Sequence, residues 1–346
     1  MAANPFLGVF LHSVGGLAAG SFYVPFRKVK LWAWESYWLI QGVAAWIIMP
    51  SLMAYITCPK FLDVLAASPW QNIALAYLFG AVWGIGGLTF GLSMRYLGLS
   101  LGYAVALGFC AACGFTVPPI FEGKALQLVT TTSGLTIVAG AVISMIGIAV
   151  CGYAGIRKER ELTAEQARAT VKEFALLKGF AVAIFAGVMS SFMAFAISAS
   201  GKIDAVAKDY CSNDIFQGLP GLVVIMAGGF TVNFVWCLIL NLRNKTLGNY
   251  VSGGKGLPFN YLLSSLAGVI WYFQFFFYTM GSTRLGDGYK FSSWPIHMSF
   301  IIVFSNLWGI YFREWKGTSR STHALVWAGI VILVAATFVI GYGTSL

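Results

Sequence analysis

The chain predicts an all-α polytopic membrane protein of ten transmembrane helices, built as a five-plus-five inverted repeat around a central cavity. Three observations carry that class: the composition, the spacing of the charges and the sorting of the basic residues. Of 346 residues, 58% are hydrophobic and 10% charged, against about 25% charged in soluble domains. Mean hydropathy is +0.78. Water cannot solvate a fold with so little polar surface. The 22 basic and 12 acidic residues leave ten charge-free stretches: 1–26, 36–59, 64–94, 96–121, 125–156, 179–201, 215–242, 256–283, 291–312 and 321–346. Each is long enough for a helix of about 20 residues to cross the hydrocarbon core. A β-barrel would need alternating segments of about ten residues, and an isolated backbone in lipid must satisfy its own hydrogen bonds.

Taken in order, 1–26 has no basic n-region and an apolar run longer than a signal peptide's, so it reads as a retained helix. The stretch 64–94 carries Gly80, Gly84, Gly87 and Gly91 on one helical face, a surface that lets helices approach closely in lipid. Pro25, Pro50, Pro118, Pro119, Pro220 and Pro258 fall near stretch ends as stops, while Pro295 lies within its stretch and predicts a kink. The charged segment 157–178 divides the chain. Thr163 and Gln166 in it have capping-box spacing, so a short amphipathic cytosolic helix is expected there. This gives a first repeat over 1–156, a linker over 157–178 and a second repeat over 179–346. Trp83, Phe90 and Leu97-Gly98 recur as Trp271, Tyr278 and Leu285-Gly286 at the same spacing; Gly16 with Ser21-Phe22 recurs as Gly187 with Ser191-Phe192. Five helices per half force the halves into opposite orientations.

Sixteen of the 22 basic residues fall in 27–35, 95, 157–178, 243–255 and 313–320; Lys60, Lys124, Lys202, Lys208, Arg284 and Lys290 occupy the alternate loops. The positive-inside rule then places 157–178 in the cytosol and both termini in the periplasm of a bacterial inner membrane. The net charge of +10 is thus topology, and no nucleic-acid partner is implied. The six cysteines sit within or beside apolar stretches, and Cys110-x-x-Cys113 reads as small packing residues.

No P-loop, metal-ligand spacing, H-E-x-x-H, G-x-S-x-G or paired intramembrane carboxylates occur, so neither a metal nor a cofactor is expected and an enzyme or scaffold is the remote alternative. Polar residues at membrane depth are the functional candidates: His12, Glu35, Asn233, Gln274 and His297. Asn233 reads as a bond to a neighbouring backbone, and Glu35 has the alternative of pairing with Arg27 or Lys28. Trp271, Gln274 and Tyr278 share one helical face, and Gln274 lies near the midplane. Rings with an amide between them suit a sugar, packing on its C–H surface and bonding its hydroxyls. Trp83, Trp294, Tyr23, Trp38 and His297 are further substrate candidates. Proton coupling needs a group that titrates near neutral pH, a histidine or a buried carboxylate, which selects Glu35 first and His12 second.

The strings Phe22-Tyr-Val-Pro-Phe-Arg-Lys-Val-Lys-Leu-Trp-Ala-Trp-Glu35, Met94-Arg-Tyr-Leu-Gly98, Trp271-Tyr-Phe-Gln-Phe-Phe-Phe-Tyr278 and Ser293-Trp-Pro-Ile-His-Met-Ser-Phe300 resemble the L-rhamnose–proton symporter family from end to end. That resemblance implies the drug/metabolite transporter superfamily and proton-driven import of L-rhamnose or a related 6-deoxyhexose, with the proton gradient as energy source. Where that family carries asparagines and a tyrosine after the helix-three tryptophan, this chain has Gly87, Thr89 and Phe90. The less polar face leaves an efflux carrier for small apolar or amphipathic compounds as the alternative.

Overall fold

Lipid offers the backbone no hydrogen-bond partner, so each apolar stretch closes its own bonds as a helix. The computed structural model describes residues 4–97, 99–161, 176–211, 213–252, 254–286 and 289–346. Its long helices are α1 (Pro5–Ser21), α2 (Trp34–Thr57), α3 (Trp70–Leu97), α4 (Leu99–Phe121), α5 (Thr132–Glu161), α6 (Leu176–Ala199), α7 (Leu219–Arg243), α8 (Leu257–Arg284), α9 (Ser293–Tyr311) and α10 (Arg320–Gly343). Among the described residues, nine segments are long and apolar enough to cross a membrane. The exception is α9, whose His297, Asn306 and three serines dilute its apolar residues and whose first half is buried against the rest of the bundle. Among the described residues there is no strand, and the chain is an all-α polytopic membrane protein. The expected capping box at Thr163 and Gln166, and Gly98 of the internal match, lie outside the described residues.

The loops gather at two ends, and the contacts between loops stay within one end. At one end the Asn4 amide donates to the Arg284 carbonyl at 2.8 Å, the Ser198 hydroxyl donates to Glu122 at 2.6 Å, the Ser133 hydroxyl donates to the Gly343 carbonyl, and Cys58 and Cys211 form a disulfide. At the other, Arg27 lies 3.3 Å from Glu314 with its guanidinium over the Phe312 ring. There too Glu161 accepts from the Ser319 amide and from the Ser319 and Thr322 hydroxyls, tying the end of α5 to the start of α10. These two ends are the two loop sets that the basic residues separate.

Helix α1 packs on α8 and α9, and α6 packs on α3 and α4; α3 meets α7 as α8 meets α2; α4 meets α5 as α9 meets α10. Exchanging the first five helices for the last five therefore maps each of these contacts onto another. Glycines set the close approaches. A Cβ on Gly80 would stand 2.2 Å from the Ile225 carbonyl, and one on Gly84 2.9 Å from that of Gly229, whereas Gly87 and Gly91 face open space. Half of that glycine face is thus helix packing. The kink expected at Pro295 is not needed: α9 starts at Ser293, so Pro295 sits in the first turn, where no intrahelical N–H is required.

Candidate functional site

The polar residues of α1, α8 and α9 meet at one level inside the bundle. His12 of α1 and His297 of α9 are 0% and 1% exposed, with ring centroids 6.0 Å apart. Tyr278 of α8 contacts both edge-on, at 5.0 Å and 5.1 Å, and Trp294 lies 6.1 Å from Tyr278. Glycines on facing helices make the recesses. A Cβ on Gly281 would stand 3.0 Å from His12 Nε2, and one on Gly15 would come 3.3 Å from His297 Cε1 and 2.8 Å from the Gln274 carbonyl. All four imidazole nitrogens are buried without a hydrogen-bond partner among the described residues. A buried polar group left unpaired costs about 1–3 kcal/mol, so two adjacent imidazoles in this state leave hydrogen-bonding capacity for a polar guest.

An aromatic face continues from this pair toward the other end. Phe275 lies 5.9 Å from His297 and 5.4 Å from Trp271; Trp271 meets Trp46 at 5.5 Å and Trp83 at 5.7 Å. Trp46 belongs to a π-helical stretch, Val43–Ile48, within α2, a local widening that recurs at functional sites and that periodicity did not predict. Gln274 is 5% exposed. Trp38 and Trp294 are already committed: Trp38 donates to Asn233 at 3.0 Å and Trp294 to the Cys110 carbonyl at 3.0 Å. Asn233 in turn donates to the Gly229 and Gly84 carbonyls, the backbone role expected of it. Cys110 and Cys113 are free thiols.

The structure therefore brings His12, His297, Gln274, Trp271, Tyr278, Trp83 and Trp294 into one continuous layer. Tyr23 stands apart, 45% exposed, with its ring 4.1 Å from Phe22. Glu35 is also separate. It lies at the Arg27 end of α2, 5% exposed, accepting from Asn244 at 3.0 Å and Thr246 at 2.9 Å. Arg27 is engaged by Glu314 instead.

Two cavities flank the histidine level. One of about 590 Å³ is lined by Gly20, Tyr23, Cys151, Asn306 and Trp315; the other, of about 260 Å³, reaches Tyr278 and Trp294 from the disulfide end. Small-molecule sites span about 300–1,000 Å³. Along α1, His12 precedes Gly20, and along α9, His297 follows Trp294 and precedes Asn306, so the imidazoles stand between the two chambers. The smaller cavity also holds Asp204, which is not among the residues the sequence singled out. Burial pushes its carboxyl up to about 7, against the pull of Lys290, the Ser200 hydroxyl and Lys208. The helix Gly201–Tyr210 around it is amphipathic by sequence, the one signal that could have marked it.

Comparison with known proteins follows this geometry. The family model described as L-rhamnose-proton symport protein (RhaT) matches residues 1–346. The chain belongs to the L-rhamnose-proton symporter family. Curated relatives named L-rhamnose-proton symporter include one from Mannheimia succiniciproducens, 37% identical over 348 residues and covering 100% of both chains. Another, from Yersinia pestis, is 35% identical over 342 residues and covers 98% of each. Membership makes the chain a transporter rather than an enzyme, and nothing in the relatives' names favours the efflux alternative. It also gives the unpaired imidazoles and the aromatic–amide face a setting in a family whose description pairs a sugar with a proton.

Proposed function

We propose that the chain imports L-rhamnose, or a closely related 6-deoxyhexose, together with a proton across the bacterial inner membrane. The observation that carries this reading is the pair of buried, unpaired imidazoles beside the Gln274 face. The sugar packs on Trp271, Tyr278 and Trp83 and bonds Gln274 and His297 through its hydroxyls. Trp294, Trp38 and Tyr23 shape the walls: the first two by holding neighbouring helices, Tyr23 in the inner chamber. His12 and His297 share the coupled proton, and Glu35 accepts it near the inner end. A loaded carrier then moves one positive charge inward, which a potential of 100 mV, negative inside, favours by about 2.3 kcal/mol. The empty carrier returns uncharged. The proton gradient is the energy source, and the reading requires no cofactor.

The ten-helix, five-plus-five arrangement is part of the proposal, supported by the exchange symmetry of the helix contacts. Its halves are 1–156 and 179–346, joined by the linker 157–178. Periplasmic termini are supported by two independent features. The basic residues concentrate at the opposite end, and the Cys58–Cys211 disulfide shares the end of the termini, as an oxidising periplasm requires. Labelled L-rhamnose should accumulate in proteoliposomes under an inward proton gradient and not without one. Equal uptake in both conditions would refute coupling.

A further inference from the structure

Asp204 has no role in the transport reading above, yet its surroundings are built around a carboxyl group. It is half-buried on the helix Gly201–Tyr210, which the Cys58–Cys211 disulfide ties to the end of α2. Gly221 leaves room for it, since a Cβ there would stand 3.3 Å from Oδ1. The Ser200 hydroxyl donates to Oδ1 at 3.4 Å. Gln217, 4% exposed, lines the same cavity with a buried amide oxygen that has no hydrogen-bond partner among the described residues. An acceptor of that kind suits a protonated carboxyl, which can donate, and not a carboxylate, which cannot. The cavity floor is Tyr278 and Trp294, and Tyr278 touches both imidazoles.

The charged groups around Asp204 have opposing effects. Lys290 and Lys208 favour the carboxylate. Glu122 and Lys124, both on the cavity wall, form an ion pair at 2.8 Å, and the helix Phe61–Ala67 packed alongside brings Asp63. Asp209 and Asp214 follow along the chain. The parts of α3, α6 and α7 next to this helix are neutral: Asn72, Ser198 and Gly221.

We propose that Asp204 is the proton-loading residue of the outer chamber, taking a proton from external water and passing it toward the Tyr278–His12–His297 layer. In the first step a hydronium ion gives its proton to the carboxylate and leaves as water. In the second the carboxyl O–H breaks as an imidazole N–H forms, and the carboxylate is restored. A carboxyl held near 7 exchanges protons at ordinary pH, whereas an aspartate at its usual value near 4 is almost always ionised.

The proposal rests on the reading of the chain as a proton-coupled sugar importer, and one experiment separates the two. In proteoliposomes, proton-driven uptake and sugar counterflow, which needs no net proton movement, are measured between about pH 6 and 8. Wild-type uptake is expected to fall as external pH rises through about 7, where Asp204 loses its proton. Asp204→Asn should lose uptake about tenfold or more, flatten the pH profile and keep counterflow, since a relay group commonly contributes at least that factor. Asp204→Glu should restore the pH dependence. Lys290→Gln, which removes an attraction for the carboxylate, should move the midpoint upward, and it decides the matter if Asp204→Asn fails to fold. A wild-type profile in Asp204→Asn, or an unmoved midpoint in Lys290→Gln, overturns the proposal. A wild type without L-rhamnose counterflow overturns the transport reading instead.

Discussion

His12 and His297 lie 6.0 Å apart between ring centroids, both fully buried, and none of their four nitrogens has a partner among the described residues. Two imidazoles this close cannot both be cations without strong repulsion, so the pair takes at most one proton beyond the N–H that each neutral ring already carries. Replacing either by alanine should cost at least about tenfold in uphill uptake, corresponding to one charge-assisted hydrogen bond of about 1.5–3 kcal/mol. Unchanged accumulation in both single variants would remove the pair from the coupling path.

Gln274 is buried on the face shared with Trp271 and Tyr278. Gln274→Ala should weaken sugar binding by about 1–3 kcal/mol while leaving the folded yield intact. Equilibrium binding by isothermal titration checks it. A wild-type dissociation constant would exclude contact between the amide and the sugar.

Glu35 accepts two hydrogen bonds, from Asn244 and Thr246, close to the basic end of the bundle. Glu35→Gln keeps the shape and removes the titratable oxygen. Accumulation against a gradient should be lost with counterflow retained. A variant that still concentrates sugar would leave coupling to the histidines alone.

The disulfide tests orientation. After mild reduction, Cys58 and Cys211 should react with an impermeant maleimide added outside intact cells, and a C-terminal reporter active only in the cytosol should stay dark. Labelling that requires broken cells, or a bright reporter, would invert the topology.

The all-α, membrane-spanning class was legible because charge is excluded from lipid, and 34 charged residues therefore punctuate the chain (22 basic and 12 acidic). The Trp271–Gln274–Tyr278 face was legible from helical spacing alone. Long-range relations were not. Nothing in the spacing brings His12 beside His297, 285 positions away, or joins Cys58 to Cys211, 153 positions apart. The widening at Val43–Ile48 leaves no mark in a hydropathy pattern. Asp204 was passed over because a charged ten-residue helix reads as surface, and its recess shows only in the close approach of Gly221 and in the cavity it lines. Glu35 was chosen on position, and its partners Asn244 and Thr246 come from the far side of the chain.

The central claim is that sugar and proton move inward together through the layer at His12 and His297. Simultaneous recording of external pH and sugar flux in de-energised proteoliposomes tests it most directly. Adding L-rhamnose outside should alkalinise the medium as sugar enters, and His12→Ala should admit less sugar with no alkalinisation. Sugar entry by the wild-type protein at constant external pH, or with acidification, would contradict the account.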